Sequence, residues 1–208
     1  SFRGYFDMET GEQVENGYVV EKDCGQYDTV TEVMWVTGAA LFIRLADYRE
    51  VGGLDGHFFA HMEEIDLCWR LRSRGKKLVC IPQSVVYHVG GATLKKENPR
   101  KTFLNFRNNL LMLYKNLPDK ELEHVLFIRG ILDRVAALVF YLKKDRANAR
   151  AVMQARREFE DIRYSFAASR IENMMKSTDE IIPERTHFSI VMKYYLLGKK
   201  HFSQLKLF

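Results

Sequence analysis

The stretch FFAHMEEIDLCWRLRSRG, residues 58–75, decides the fold of the first half of the chain. From Glu63 to Arg74, apolar and long side chains recur at helical spacing, so this part predicts a helix. Carboxylates occupy its first turn and arginines its last, as the helix dipole favours, and Gly75 ends it. The recurring residues are Ile65, Cys68, Trp69 and Arg72, with Leu67 and Leu71 on the adjoining face.

Three carboxylates, Glu63, Glu64 and Asp66, share the opening turn of this helix. The plainer interpretation is that acids stabilise a helix N-terminus, by about 0.3–1 kcal/mol each. The alternative is catalytic. Three carboxylates in one turn repel one another, which raises the pKa of at least one and prepares it as a general base. The spacing leaves both interpretations open.

Histidines near this helix raise the question of a metal site. His57 and His61 are four residues apart, and Glu63 and Glu64 follow closely. The order is not His-Glu-x-x-His, and the aromatic pair between the histidines favours a loop packed on the core. Farther along, His88 ends a predicted strand just before two glycines. It is either a core histidine or a side chain in a cleft where α/β proteins bind ligands.

Outward from this helix, the chain predicts a few strands and then helices. Residues 1–30 are polar and rich in turns, and we expect loops and short strands there. The predicted strands are Val33–Val36, Lys76–Ile81 and Val85–His88. The predicted helices are Lys101–Asn116, a second from Asp119 as N-cap to about Lys144, and a third over roughly Ala147–Lys176. The fold class is therefore α/β with a few strands, followed by a mainly helical C-terminal appendage.

Composition excludes several classes of protein. The chain has 208 residues, 47% hydrophobic and 28% charged, which is the balance of an ordinary globular protein and excludes wholesale disorder. Its longest apolar stretches, such as Val135–Leu142, fall short of the roughly 18 residues of a membrane-spanning helix. The net charge of +5 permits anionic partners. That charge is dispersed and no nucleic-acid motif accompanies it, so we expect no nucleic-acid partner.

The three cysteines, Cys24, Cys68 and Cys80, are odd in number and widely spaced. They fit neither a disulfide framework nor a cysteine-based zinc site, and they suggest a reducing compartment. The chain begins with neither Met nor a signal peptide, so we expect it to be a piece of a longer protein.

Several motifs in one order resemble family 2 glycosyltransferases, and most closely the bacterial rhamnosyltransferase-like members that build surface polysaccharides. The resemblance covers roughly residues 15–117. It rests on GQYD (25–28), WVTGAALFIR (35–44), VGGLD (51–55), FFAHMEEIDLCWR (58–70), PQSVVYHVGG (82–91) and RNN (107–109).

The resemblance implies the C-terminal part of a GT-A type fold and an inverting transfer from a nucleotide-sugar donor. Glu64 matches the family's general base, and Glu63 and Asp66 would orient substrate or tune that base. A divalent metal, Mg²⁺ or Mn²⁺, would neutralise the leaving diphosphate, and His88 matches a histidine that ligates it in some members.

The acceptor side of the site is implied by the same resemblance. Trp35, Thr37 and Gly38 match the segment that lines the acceptor, where a glycine lets the sugar approach the backbone. The family's Asp-x-Asp, which holds metal and nucleotide, is missing from the chain. We therefore expect residues 1–117 to be the acceptor-binding and catalytic-base half, and this fragment to be inactive by itself.

Residues 118–208 form the predicted helical region. Within its long helix, an apolar stripe predicts packing on the rest of the domain, or a basic amphipathic surface on anionic headgroups. The tail after Arg185 is a second candidate contact. We expect a saccharide or polyprenyl-linked acceptor, and a cytoplasmic protein that can lie at the inner face of the cell membrane. The alternative function is a catalytically silent module that binds a glycan or a lipid-linked acceptor. The stripe consists of Leu122, Val125, Leu126, Ile128, Leu132, Val135, Val139 and Leu142.

Overall fold

Helices make up most of the described chain. The computed structural model describes residues 24–87, 98–178, 182–185, 194, 196–199, 201 and 204. The α-helices in these ranges are α1 (Leu45–Glu50), α2 (Glu63–Ser73), α3 (Pro99–Asn116), α4 (Asp119–Leu142), α5 (Arg146–Ile162) and α6 (Ala167–Met175). Short 3-10 turns lie at Gly38–Ala40, Gly56–Phe58 and Arg163–Phe166.

The sheet in the described residues has two strands, β1 (Thr31–Glu32) and β2 (Val79–Cys80). They pair antiparallel, with Thr31 opposite Cys80 and Glu32 opposite Val79. The predicted strand at 33–36 is wrong, and that at 76–81 is confirmed only at Val79–Cys80. A strand needs a partner backbone, and apolar runs without one stay irregular. Residues 85–87 are not a strand, and His88 lies outside the described residues.

The chain divides into two compact units. The smaller one contains residues 1–33, 79–87 and 181–208, and its described part includes the two-stranded sheet. The larger one contains residues 34–78 and 88–180, and its described part includes all six helices.

Helix α3 is the centre of the larger unit. Its beginning is set by Asn98, whose side chain accepts a hydrogen bond from the N–H of Arg100 at 2.9 Å, and by Pro99 in the first turn. Every residue from Asn108 to Leu117 is buried. Helices α2, α4, α5 and α6 all pack on it. The predicted division at 117/118 stays a prediction, although α5 and α6 pack on a helix that precedes it.

The helices after Pro118 follow the predicted order with two corrections. Asp119 is the first residue of α4, and its cap position is held by Pro118. The predicted third helix is interrupted by the 3-10 turn Arg163–Phe166, so α5 and α6 are separate. This tighter turn ends at Phe166, which is 5% exposed and meets the ring of His57 edge-on at 5.2 Å.

The predicted packing face of α4 is confirmed only at Leu122 and Leu126. Its buried residues are Leu122, Leu126, Gly130, Asp133 and Ala137, whereas much of the predicted stripe is exposed. The cause is a buried ion cluster: Asp133 contacts Arg129 at 2.7 Å and Arg156 of α5 at 2.8 Å. The periodic pattern of a helix predicts that its charged residues face solvent, so the buried carboxylate of Asp133 was not predicted. The exposed stripe residues are Ile128, Val135, Val139 and Leu142.

Candidate functional site

The first turn of α2 is built around a carboxylate that solvent does not reach. Asp66 is 0% exposed. Arg70, one turn later, donates to its Oδ2 from Nε at 3.0 Å, and also binds the carbonyl oxygens of Val51 and Gly53. A buried carboxylate needs such partners because desolvation otherwise makes its charge costly. Asp66 therefore holds the guanidinium of Arg70, which joins α2 to the turn at residues 51–53.

Helix α3 supplies the other partners of this carboxylate. The Nζ of Lys115 lies 3.0 Å from Oδ2 of Asp66 and 2.7 Å from Oδ2 of Asp55. The Nδ2 of Asn116 donates to Oδ1 of Asp66 at 2.8 Å. Lys115 is buried, so the cluster is shielded from solvent. Neither Lys115 nor Asn116 was predicted from the sequence, because their partners are about 50 residues away and leave no periodic signal.

Asp55 is the second carboxylate of this cluster. Burial by itself would raise its pKa, but the hydrogen bond and charge of Lys115, with the N–H of His57, outweigh burial and lower it to about 2. Its Oδ1 accepts from the His57 N–H at 3.0 Å, which caps the turn at Gly56–Phe58. The exposed ring of His57 lies 2.7 Å away through Nδ1. Asp55 thereby stays ionised and joins α3 to the loop before α2.

The two glutamates at the start of α2 lie in a different environment from that of Asp66. Glu63 and Glu64 are both half-buried, and one carboxylate oxygen of each is buried. The buried Oε2 of Glu63 receives no hydrogen bond from the residues that the structure describes. The predicted pair therefore lies at a boundary between core and solvent, whereas Asp66 belongs wholly to the core.

The predicted acceptor segment lies beside these glutamates. A Cβ added to Gly38 would be 3.6 Å from the Cβ of Glu64. One turn farther along α2, the backbone N–H of Val36 hydrogen-bonds to Cys68, while burial raises the pKa of that thiol to about 11. Thr37 accepts from the N–H of Ala39 at 3.4 Å and starts the turn that carries Gly38. Thr37 and Gly38 are exposed, and Trp35 is half-buried.

The structure therefore brings Gly38 and Glu64 together, with Thr37 and Glu63 as their respective neighbours in the chain. Asp66 lies beneath them in the ion cluster. His88 lies outside the described residues.

Metal-ligating residues do not cluster in the described ranges. No group of three or more His, Cys, Asp or Glu there could hold a metal ion. His57 is oriented toward Asp55, and the three cysteines, all described, are free thiols. The described residues therefore do not form a metal site by themselves.

The loop between Asp55 and α2 has an unusual backbone. Phe59, His61 and Met62 have positive φ angles of 62°, 70° and 75°. The N–H of Ala60 donates to the carbonyl of Phe58 at 2.7 Å, which closes a γ-turn around Phe59, with ψ −58°. Positive φ is costly for residues with a Cβ, so the surrounding structure must hold this loop.

Comparisons with known proteins point to one class of enzyme. Over 141 residues, 62% of this chain, it is 31% identical to a pre-mycofactocin glycosyltransferase of Mycobacterium tuberculosis and covers 29% of that protein. Over 56 residues, 27% of the chain, it is 38% identical to an N-acetylglucosaminyl-diphospho-decaprenol L-rhamnosyltransferase of the same organism, of which it covers 18%. Over 69 residues, 33% of the chain, it is 33% identical to the rhamnosyltransferase WbbL of Escherichia coli K12, of which it covers 25%.

The chain spans less than a third of the length of these curated relatives. No protein-family model matches it. No solved structure matches it either. All three relatives are named as glycosyltransferases or rhamnosyltransferases.

Proposed function

We propose that the chain is the acceptor-binding and catalytic-base part of an inverting, family 2-like glycosyltransferase with a GT-A type fold. The observation that carries the proposal is the closeness of Gly38 to Glu64. A Cβ added to Gly38 would lie 3.6 Å from the Cβ of Glu64. It puts the segment expected to line the acceptor against the residue expected to act as base. The names of the three relatives support sugar transfer independently.

In the proposed reaction, Glu64 takes the proton of an acceptor hydroxyl. The hydroxyl oxygen then forms a bond to the anomeric carbon of the donor sugar, while the bond from that carbon to the diphosphate breaks. The nucleoside diphosphate leaves with the electron pair, and attack from the opposite face inverts the anomeric centre. General-base help of this kind typically contributes about 10²–10⁴-fold to a rate. Glu63, the neighbouring residue in the first turn of α2, would orient the acceptor.

Asp66 has a different part in this proposal from that of the two glutamates. Because Arg70, Lys115 and Asn116 occupy its oxygens, it holds the first turn of α2 in place. Its contribution to the chemistry is therefore through the position of Glu63 and Glu64.

The donor in this proposal is a nucleotide sugar, and a divalent cation, Mg²⁺ or Mn²⁺, accompanies it. The described residues supply no three-ligand group for that cation.

The acceptor in this proposal is a saccharide or a polyprenyl-linked sugar. One relative's name includes a diphospho-decaprenol acceptor, which supports the lipid-linked class. Activity is tested on the protein as encoded, by release of nucleoside diphosphate from a panel of nucleotide sugars with and without a polyprenyl-diphosphate sugar. Acceptor-dependent release with an inverted product linkage supports the proposal. Release of no diphosphate with any donor favours the alternative, a silent module that binds a glycan or a lipid-linked acceptor.

A membrane contact belongs to the same proposal. None of the helices that the structure describes is long and apolar enough to cross a bilayer. Helix α4, however, exposes large apolar side chains: Phe127 is 70% and Leu142 70% exposed. No exposed carboxylate lies between His124 and Lys144, whereas Arg134, Lys143 and Lys144 are exposed. An apolar face with basic flanks fits the surface of an anionic bilayer, here the cytoplasmic leaflet.

Vesicle sedimentation tests this contact. Leu138 of α4 is also exposed, and Phe127→Ser with Leu138→Ser should reduce binding to phosphatidylglycerol vesicles. Met175→Ser is the matched control, since Met175 is 81% exposed on another helix. Equal loss in the control variant, or no binding by the unsubstituted protein, contradicts the membrane contact. Association into dimers through α4 would show as a mass change in the absence of vesicles and also contradicts it.

A further inference from the structure

One buried amide of helix α3, that of Asn108, contacts three carbonyl groups of the loop before α2. Asn108 is 0% exposed. Its Nδ2 lies 2.8 Å from each of three loop carbonyl oxygens, those of Phe58, Ala60 and His61. An amide nitrogen carries two hydrogens, so these two are shared among three acceptors.

The neighbouring Arg107 fixes which way this amide faces. Its Nε donates to Oδ1 of Asn108 at 2.9 Å, which leaves Nδ2 toward the loop. Its guanidinium also donates to the carbonyl of His57 at 3.1 Å and to Oε1 of Glu158 on α5 at 2.8 Å. Two consecutive residues of α3 therefore bind four carbonyls of the loop.

The carbonyl groups that Asn108 contacts lie in the strained part of the backbone. Phe58, Ala60 and His61, whose carbonyls accept from Asn108, enclose the γ-turn at Phe59 and precede Met62, the last residue before α2. A positive φ is unfavourable for a residue with a Cβ and persists only where surrounding contacts over-determine it. Met62 offers no side-chain cap to α2, so the direction of the helix start follows from this loop backbone.

We propose that Asn108 is a positioning residue for the site, acting through the loop of residues 57–62 on Glu63 and Glu64. The amide donates hydrogen bonds to carbonyl groups of the loop. Without these bonds the strained turn would relax, and the relaxed loop would shift the start of α2. The catalytic consequence of this inference rests on the proposed function. That Asn108 holds the loop rests on the hydrogen bonds alone. Asn108 itself touches neither acceptor nor donor in this proposal.

The decisive variant is Asn108→Asp. It keeps the size of the side chain and the oxygen that accepts from Arg107, but it places an acceptor where three carbonyls need a donor. Asn105→Asp is the matched control on the same helix, since the Asn105 amide donates to Lys101 within α3. Both variants are compared at a temperature where thermal unfolding shows them folded.

Two readouts separate positioning from general stability. Amide hydrogen exchange across residues 58–63 should quicken at least tenfold in Asn108→Asp and stay unchanged in the control. In the protein as encoded, kcat should fall about 10–100-fold while the KM for the donor changes less than threefold, as expected for misplacement of a catalytic group. A second variant, Asn108→Asp with Phe59→Gly, should recover part of kcat, because glycine adopts the positive φ without cost.

The outcomes are distinguishable from those of the proposed function. If amide hydrogen exchange across residues 58–63 is unchanged in folded Asn108→Asp, Asn108 does not hold the loop. Faster exchange with unchanged kcat overturns the positioning role. If the unsubstituted protein transfers no sugar, the proposed function and the catalytic part of this inference fail together, and the exchange experiment still decides whether Asn108 holds the loop.

Discussion

The Nζ of Lys115 lies 3.0 Å from Oδ2 of Asp66, so helix α3 is joined to the first turn of α2 by a buried ion pair. The same ammonium contacts Asp55 and lies 5.0 Å from the centre of the Phe58 ring. One buried cation therefore connects the helix start, the turn before it and the loop between them.

Removal of this cation should destabilise the protein strongly. Lys115→Met fills most of the same volume but leaves two carboxylates without their shared partner, and breaking a buried pair in this way costs about 3–5 kcal/mol. The check is the free energy of unfolding in urea. Lys76→Met is the control, since Lys76 pairs with Asp47 and Glu50 near the surface. A similar loss in both variants would contradict the central place of Lys115.

The low pKa of Asp55 makes part of the stability dependent on pH. Its folded pKa of about 2 is below the ordinary value of 3.8, so ionised Asp55 stabilises the fold above pH 4. That contribution, about 2 kcal/mol, should disappear as the pH falls from 4 through 2. The measurement is the difference in unfolding free energy between the unsubstituted protein and Asp55→Asn from pH 6 to pH 2.

This pH effect has an internal control. In a Lys115→Met background the main partner of Asp55 is absent, so the Asp55→Asn difference above pH 4 should shrink. A gap that stays constant with pH, or that survives loss of Lys115, would show that Asp55 acts otherwise.

Three glycines in one short region separate backbone strain from steric contact. Gly52 has φ +82° with open space at its Cβ position. Gly53 has φ +67°, with the ring of Tyr48 2.8 Å from that position. Gly52→Ala should cost about 1–2 kcal/mol for the positive φ, and Gly53→Ala distinctly more. Gly56→Ala, which meets neither problem, should stay close to the unsubstituted protein. Thermal melting of all three variants checks this order, and Gly56→Ala as the worst would refute it.

Phe59 offers a test of the strained loop. Truncation of a large aromatic residue usually destabilises, but Phe59 is 67% exposed and has φ 62°. Phe59→Gly should therefore leave the free energy of unfolding unchanged or raise it, because glycine accepts that φ. Phe59→Val should lower it, because a branched Cβ fits positive φ poorly. Equal effects of the two substitutions would mean that the backbone at Phe59 carries no strain.

The sequence predicted the helices better than the contacts between them. The start of α2 at Glu63 and the end of α3 at Asn116 are confirmed, because an acidic first turn, a following proline and periodic apolar residues are local signals. Asp133 and Lys115 were missed as buried groups, since charged residues are expected at the surface unless their distant partners are known.

In the candidate site, too, local motifs were informative and long-range contacts were not predicted. Proximity of Gly38 to Glu64 agrees with the motifs that resemble family 2 glycosyltransferases. The role of Asn108 was not predicted, although Arg107, Asn108 and Asn109 belonged to those motifs. A three-carbonyl contact across 47 to 50 residues of chain becomes visible only when the loop and α3 lie side by side.

The most direct measurement is the effect of Glu64→Gln on sugar transfer by the protein as encoded, with acceptor binding measured in parallel. Loss of the general base should lower kcat by about 10²–10⁴-fold while the acceptor affinity stays within a few-fold. Glu172→Gln, which alters an exposed carboxylate of α6, serves as the control and should keep full activity. Full transfer by folded Glu64→Gln would contradict the assignment of Glu64 as the base.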